Sequence, residues 1–476
     1  MNRHGLVAGA TGTGKTKTLQ VLAEQLSDAG VPVFISDIKG DISGLAAPAA
    51  FNEKLTQRAQ SVGFSDYTAK SFPVEFFALD REAKGVRLRA SVSSFGPILL
   101  AKVLDLNETQ QSVLALAFKY ADDKQLPLIN LEDLRSLLNH LNSDEGKSEM
   151  AEYGGVATAT AGVIIRKIVE LEQQEADAFF GSPEFDVDYF LRTASDGRGV
   201  ISVLELADMQ DRPALFSTFM MWLLANLYET LPEVGDPDKP KLVFFFDEAH
   251  LLFRDANKTF MGQIELVARL IRSKGVGVFF VTHSPSDVPS EVLGQLGNRV
   301  QHALRAFTPD DLKTVRATAE TFPTTEFYDV ADELTRLGTG EALVTALDLK
   351  GRPMPTARVM MRPPMSLMAQ VEPAVFDAVV AASQIAAEYA ADTDPESAKE
   401  LLAARMNQAT EAGVEPMKDV ADPESPAERK MRPTSAPEKG VDWGKVATEG
   451  SRVMRSGAFN TVLRSVLGVL TGGRRR

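Results

Sequence analysis

The sequence predicts an α/β fold: a mostly parallel sheet with helices on its faces, an all-helical insertion and a helical C-terminal extension. Three observations carry this expectation. A short apolar run at residues 5–8 (Gly-Leu-Val-Ala) leads through a glycine-rich loop into residues with helical spacing. Residues 31–37 (Val-Pro-Val-Phe-Ile-Ser-Asp) then complete a strand–loop–helix–strand unit, whose crossover is right-handed in parallel sheets. Further apolar runs of strand length recur at 199–206, 242–246 and 276–282, as strands buried on both faces require.

The glycine-rich loop is Gly9-Ala-Thr-Gly-Thr-Gly-Lys-Thr16, which fits the phosphate-loop pattern G-x-x-x-x-G-K-[ST] through Gly9, Gly14, Lys15 and Thr16. Glycines let backbone N–H groups wrap a phosphate chain, and the helix that follows points its positive end at the same anion. Gly9, Thr11, Gly12, Thr13, Gly14, Lys15, Thr16 and Lys17 are therefore candidate nucleotide-binding residues. Lys15 would reach the β- and γ-phosphates of ATP, and the Thr16 hydroxyl would hold Mg²⁺. From Lys15 onward Thr18, Leu19, Leu22, Ala23 and Leu26 repeat at helical intervals. A glycine- and threonine-rich loop without a ligand is the alternative, and it does not call for that flanking pattern.

Composition bounds the rest. The chain has 476 residues, 44% of them hydrophobic and 24% charged, which describes a soluble globular protein with room for two or three domains. It has no cysteine, which excludes disulfides and thiolate metal sites and fits a reducing, cytoplasmic setting. No signal peptide is visible, and no apolar run approaches the roughly 18 residues that span a bilayer. The net charge of −14 excludes a generic polyanion binder, so any contact with nucleic acid must come from local basic loops.

In chain order, the second strand ends at Asp37, which places Asp37, Lys39 and Asp41 at the carboxyl edge where such sheets bind ligands. An exposed turn of charged residues is the alternative. Residues 72–77 and 86–92 read as strands, the latter alternating Val86, Arg87, Leu88 and Arg89. From about 97 to 182 the pattern is helical: Asn107 with Gln110 and Asn130 with Asp133 open helices, and Ile164 to Leu171, continuing through Glu172, Glu175 and Asp177, reads as one long amphipathic helix. The expected organisation is a first part of the core (1–96), a helical insertion (97–198) and a second part of the core (199–370).

The core resumes with the strand at 199–206 and an apolar helix at 213–231, followed by Leu242-Val-Phe-Phe-Phe-Asp247-Glu248. An apolar strand ending in Asp-Glu, paired with a phosphate loop, is the arrangement of an ATP hydrolase. Asp247 would bind the Mg²⁺ of Mg-ATP, and Glu248 would polarise the attacking water. The helix through Ile264, Val267 and Ile271 carries Arg269 and Arg272 near its end. The next strand, 276–282, runs into Thr282-His283-Ser284-Pro285. His283 is a candidate sensor of the γ-phosphate, or else a turn histidine. Residues 298–307, 340–348 and 356–361 read as strands, the last two joined by a hairpin turn at 348–351, with a helix opened by Thr308-Pro309-Asp310-Asp311. Beyond the core lie an alanine-rich helix (371–391), a second one opened by Asp394-Pro395-Glu396, a proline-rich flexible linker (413–440) and a basic amphipathic tail (441–476). In the tail Phe459, Val462, Leu463, Val466, Leu467 and Leu470 share one face, suited to a membrane surface, nucleic acid, another subunit or its own protein.

Residues 2–16, Ile35-Ser-Asp-Ile-Lys-Gly-Asp41, Phe246-Asp-Glu-Ala-His250 and Gly294-Gln-Leu-Gly-Asn-Arg299 resemble the HerA-like branch of the HerA/FtsK superfamily of P-loop ATPases. The similarity is to the C-terminal domain of HerA-like helicases, the bacterial YjgR-type subfamily above all, over roughly residues 1–370. The resemblance implies a RecA-like core, ATP hydrolysis, a homo-oligomeric hexameric ring and DNA as the object of a translocase. Carried over by position, Lys15 and Thr16 match the Walker A pair, Asp247 and Glu248 the Walker B pair, and Asp37 an acidic residue after the second strand. Arg272 sits where the family places an arginine that completes a neighbouring site, a role worth about 10³–10⁵ in rate; a surface arginine favoured by a helix C-terminus is the alternative. Two departures stand out. The family has Gln where this chain has His283, and only eight residues precede Gly9, so the family's N-terminal β-barrel is not expected here.

The leading expectation is an oligomeric, helicase-like, Mg²⁺-dependent ATPase motor acting on DNA or on a polypeptide. A GTPase switch is a second reading, since Asp37-Ile-Lys-Gly40 spells D-x-x-G, but no base-reading [NT]-K-x-D follows. A nucleotide-gated scaffold without turnover is the third, and the intact Asp37, Asp247 and Glu248 speak against it.

Overall fold

The computed structural model describes residues 4–81, 83–206, 213–235, 237–254, 258–348 and 350–411. Among them ten strands form one sheet: β1 (Gly5–Ala8), β2 (Val33–Asp37), β3 (Val74–Ala78), β4 (Val86–Arg87), β5 (Ile201–Glu205), β6 (Leu242–Phe246), β7 (Val276–Thr282), β8 (Asn298–Gln301), β9 (Glu341–Thr345) and β10 (Ala357–Met360). Their order is β10-β9-β8-β1-β7-β6-β2-β5-β3-β4. All pairings from β8 to β4 are parallel, and only β8–β9 and β9–β10 are antiparallel. The architecture is the α/β, RecA-like one that the sequence predicts.

Alternation along the strands divides the core in two. Val7, Val33, Ile35, Val203, Val243, Phe245 and Val281 meet Leu19, Ala23 and Leu26 of helix α1 (Lys15–Asp28) on one face. Leu6, Phe34, Phe77, Leu204, Phe244, Phe246 and Phe280 face the other way, against Phe219, Trp222 and Leu223 of the helix Pro213–Thr230. Each such side chain removed from water contributes about 1.5–3 kcal/mol. The helices between Val92 and Gln173 add Leu114, Leu134, Leu138 and Ile164 to this second cluster, so the insertion and the sheet share one core. The chain passes from β1 to β2 across β7 and β6, which sets the carboxyl ends of β1, β7, β6 and β2 side by side. That edge carries the candidate site.

Local signals account for most boundaries. Asn107 with Gln110, Asn130 with Asp133 and Thr308 with Asp311 form capping boxes, in which each side chain satisfies a helix-end N–H at about 0.5–2 kcal/mol. β9 and β10 pair as an antiparallel hairpin, with Gly351 (φ 78°) donating its N–H to Asp348 O at 2.9 Å. Several expectations are corrected. The long amphipathic helix stops at Gln173; Glu175 turns left-handed (φ 56°) and Ala176–Phe179 is a separate 3₁₀ turn. The strand read at 86–92 is two residues long, because Ser91 instead caps the helix Val92–Val103 by accepting the Ser94 N–H at 3.0 Å. The strand read from 298 ends at Gln301. The alanine-rich helix at 371–391 is Pro373–Ala382 and then Ala386–Tyr389, broken at Ser383, whose hydroxyl takes the N–H groups of Ile385 (3.2 Å) and Ala386 (3.0 Å). A serine hydroxyl competes for backbone hydrogen bonds in this way. The next helix begins at Ala398, not at Asp394, with the Ser397 N–H held by Glu400 at 3.0 Å. The linker 413–440 and the basic tail 441–476 lie outside the described residues. Among the described residues no helix is long and apolar enough to cross a membrane.

Candidate nucleotide site

The loop of residues 9–14 joins β1 to α1 and is held by the segments just after β8 and just before β9. Ala10 N–H donates to Ala303 O at 2.8 Å, and Gly340 N–H donates to Thr13 O at 2.9 Å. Gly9 (φ 154°) must be glycine because a Cβ there would come within 2.5 Å of the His302 Cβ. Gly14 has φ 116°, with Gly340 Cα 3.3 Å from where a Cβ would stand. Thr13 is buried and its hydroxyl donates to Ala10 O at 2.7 Å, while Thr11 and Gly12 are exposed at the tip. Thr16 and Lys17 follow Lys15 in the first turn of α1, both half-buried, and the Lys17 ammonium donates to Gln20 Oε1 at 3.3 Å.

His302 is the support that sequence reasoning missed. It is fully buried beneath the loop, donating from Nδ1 to Glu341 O (2.8 Å) and accepting the Thr18 hydroxyl at Nε2 (2.8 Å). Burial depresses its pKa to about 4, against its hydrogen bond to the Glu341 carbonyl, so the folded protein holds it neutral. Below pH 6.5 the unfolded chain binds a proton at this residue that the folded chain refuses until about pH 4, so stability falls with acid through that window. Between pH 7 and pH 5 the wild type is expected to lose about 2 kcal/mol more than His302→Gln, read as the difference in their urea-unfolding free energies. Identical pH slopes would refute this.

Lys15 is 6% exposed and donates to Ala10 O at 3.3 Å. Its ammonium also lies 3.3 Å from Nδ1 of His283, whose Nε2 stands 3.1 Å from Glu248 Oε2. The imidazole therefore bridges the phosphate-loop lysine and the strand-end glutamate, accepting from one and facing the other with its N–H. Its pKa is lowered, first by burial and then by Lys15, with Glu248 opposing. β7 lies between β1 and β6, and that is what puts His283 there.

Glu248 is buried at 3% exposure in a left-handed backbone conformation (φ 49°). Its Oε1 pairs with the Lys39 ammonium, and His250 Nδ1 lies 3.2 Å from Oε2. Burial works to raise its pKa, but Lys39, His283 and His250 together hold it below the ordinary glutamate range. It is an ionised carboxylate in a largely dry setting, the state a water-activating base needs. The neighbouring Asp247 is raised to about 7, first by burial and then by the charges of Glu248 and Asp37. Its Oδ2 is buried without a hydrogen-bond partner, and Asp37, Asp41 and Asp247 offer oxygens within 4.8 Å of one another. The orphaned oxygens of Asp41 and Asp247, with Thr16 at the loop, fit a hard divalent cation such as Mg²⁺.

Two predicted residues sit differently from expectation. Asp37 is fully buried, but its carboxylate accepts the backbone N–H groups of Lys39 (3.1 Å), Gly40 (2.8 Å) and Ile42 (2.8 Å). It is committed to shaping its own loop, not to facing a substrate. Arg272 lies in the turn Ile271–Lys274 before β7, near His4, at the amino edge of the sheet. The seven residues of β7 separate it from His283, about 20 Å, so it does not meet Lys15 or Glu248 of its own chain. Lys39 and His250 join the site, although the sequence offered only their place next to strand ends.

The whole chain, residues 1–476, matches the family model described as "Helicase HerA-like C-terminal". It is 22% identical over 351 residues to the DNA double-strand break repair helicase HerA of Sulfolobus acidocaldarius, covering 72% of this chain and 62% of that protein. The HerA protein of Sulfurisphaera tokodaii is 22% identical over 356 residues, with coverages of 72% and 62%. The chain thus spans about three-fifths of the length of these curated relatives. Among solved structures, the plasmid coupling protein TrwB in complex with ADP and Mg²⁺ superposes with a TM-score of 0.53 at 16% identity, over 78% of this chain and 87% of that one. The unbound TrwB lacking its N-terminal segment gives 0.52, also at 16% identity, over 78% and 88%. At these identities the likeness is one of fold.

Proposed function

Because the chain belongs to the HerA-like helicase C-terminal family, we propose that it is an Mg²⁺-dependent ATP hydrolase working as an oligomeric, helicase-like motor on DNA. The observation that carries the reading is the chain of contacts Lys15–His283–Glu248, which ties the phosphate-binding cation to a buried, ionised carboxylate. The backbone N–H groups of the loop and the amino end of α1 receive the phosphates, and Lys15 leaves His283 to neutralise the β- and γ-oxygens. Glu248 accepts a proton from the attacking water, and His283, neutral and 38% exposed, positions that water or the γ-phosphate through its N–H. A magnesium ion would be held by Thr16 and Asp247 and would supply charge neutralisation on the transferring phosphoryl group. The Mg²⁺ and ADP bound by TrwB support that cofactor set.

That the HerA relatives are DNA double-strand break repair helicases supports DNA as the object of the motor. Arg272, remote from its own site, suits a role across a subunit boundary in a hexameric ring. The test is ATP turnover with single- and double-stranded DNA over a salt series. DNA is expected to raise turnover, and its apparent affinity to fall linearly in log–log form as salt rises, with a slope of about −0.9 per phosphate contacted. Turnover indifferent to DNA would point instead to a polypeptide substrate, and no turnover at all to a nucleotide-gated scaffold.

A further inference from the structure

Lys39 pairs directly with Glu248, whereas Lys15 reaches it only through His283. Lys39 comes from the loop after β2, where Asp37 holds the backbone N–H groups of Lys39, Gly40 and Ile42. With the backbone fixed, the side chain crosses to the end of β6 and its ammonium pairs with Glu248 Oε1. The carboxylate end is 4% exposed and the lysine 44% exposed, so the glutamate is the fixed partner and the cation the movable one. On the other side of the carboxylate stand His283 at 3.1 Å and His250 at 3.2 Å, both on Oε2. Lys39 thus occupies Oε1, while Oε2 stands near the two imidazoles without a hydrogen bond.

We propose that Lys39 is a positioning residue that senses the terminal phosphate: it restrains Glu248 in the empty site and transfers to a γ-phosphate oxygen when ATP enters beside Lys15. The inference rests on the ATPase reading of this site. A terminal phosphate carries more negative charge than a carboxylate, and lysine is a compact point charge on a flexible four-carbon stem that can follow it. The transfer frees Oε1 for water and shields the incoming phosphate from the buried Glu248 charge. ADP, lacking that phosphate, leaves the pair as it is. Return of Lys39 to Glu248 after phosphate release would restore the restrained state, so that the base is available only while a γ-phosphate is present.

The experiment compares wild type, Lys39→Gln and Lys39→Arg in equilibrium binding of a non-hydrolysable ATP analogue and of ADP, each with Mg²⁺. Lys39→Gln is expected to weaken the analogue about tenfold or more and to leave ADP within about twofold, while Lys39→Arg retains most of the discrimination. The loop should survive the change, since its hydrogen bonds to Asp37 are backbone ones, and a melting curve checks this. Equal effects on analogue and ADP, or no effect on either, would overturn the proposal alone. Failure of the wild type to bind either nucleotide would overturn it together with the ATPase reading.

Discussion

Glu248→Gln is expected to lower ATP turnover about 10²–10⁴-fold while leaving ATP bound as tightly as in the wild type, within a few-fold. The amide keeps the shape of the side chain but cannot take a proton from water. It also removes a negative charge that faces the phosphates, which favours retention of ATP. Because Glu248 is buried and pairs with the Lys39 ammonium, the substitution also leaves that cation without its anion. A modest loss of thermal stability should accompany it. Single-turnover hydrolysis with radiolabelled ATP, beside a filter-binding measurement, separates the chemical step from binding. Turnover like that of the wild type would remove Glu248 from the chemistry.

Lys15→Ala is expected to weaken Mg-ATP binding about 10²–10⁴-fold, the worth of two charge-assisted hydrogen bonds to phosphate oxygens. The fold should tolerate it. Lys15 gives up one bond to Ala10 O and its contact with His283, and burial already disfavours its charge, lowering its pKa. Removing the ammonium therefore relieves a desolvation cost in the empty protein, and the melting temperature should hold or rise slightly. Titration with a fluorescent ATP analogue reads the affinity, and a variant that binds as tightly as the wild type would refute the phosphate role. His283, deprived of its lysine, should lose the charge that helps depress its pKa and become easier to protonate.

What the sequence made legible were features whose cause is local or whose burial is complete. β1, β6 and β7 read as strands because both faces are buried and every residue is apolar or small. The capping boxes at Asn107, Asn130 and Thr308 read as helix starts because donor and acceptor sit three residues apart. Arrangements that depend on strand order were not legible. His302 underlies the phosphate loop only because β8 pairs with β1, and nothing near residue 302 announces that pairing. Lys39 reaches Glu248 because β2 adjoins β6, although their residues lie 209 positions apart. His283 could be placed from sequence because it ends a strand whose position between β1 and β6 follows from the family pattern, but its contacts with both Lys15 and Glu248 could not. The misplaced helix ends at Gln173, Ser383 and Ala398 share a cause: side-chain or backbone choices of a single residue outweighed a pattern that continued past it.

The pairing of β1 also bears on how the protein is made. Gly5 is flanked in the sheet by Phe279 and Asn298, and it has no strand neighbour from the first half of the chain. A ribosome adding about 5–20 residues per second leaves β1 waiting on the order of tens of seconds for either partner. During that time a short apolar segment with both edges unpaired must be kept from non-native pairing. Long-range closure of this kind also slows folding after release, because the entropy of a very large loop is lost before the strand contacts form. Nucleotide-binding competence should therefore arise late in synthesis, and nascent chains that end before residue 301 should not retain ATP.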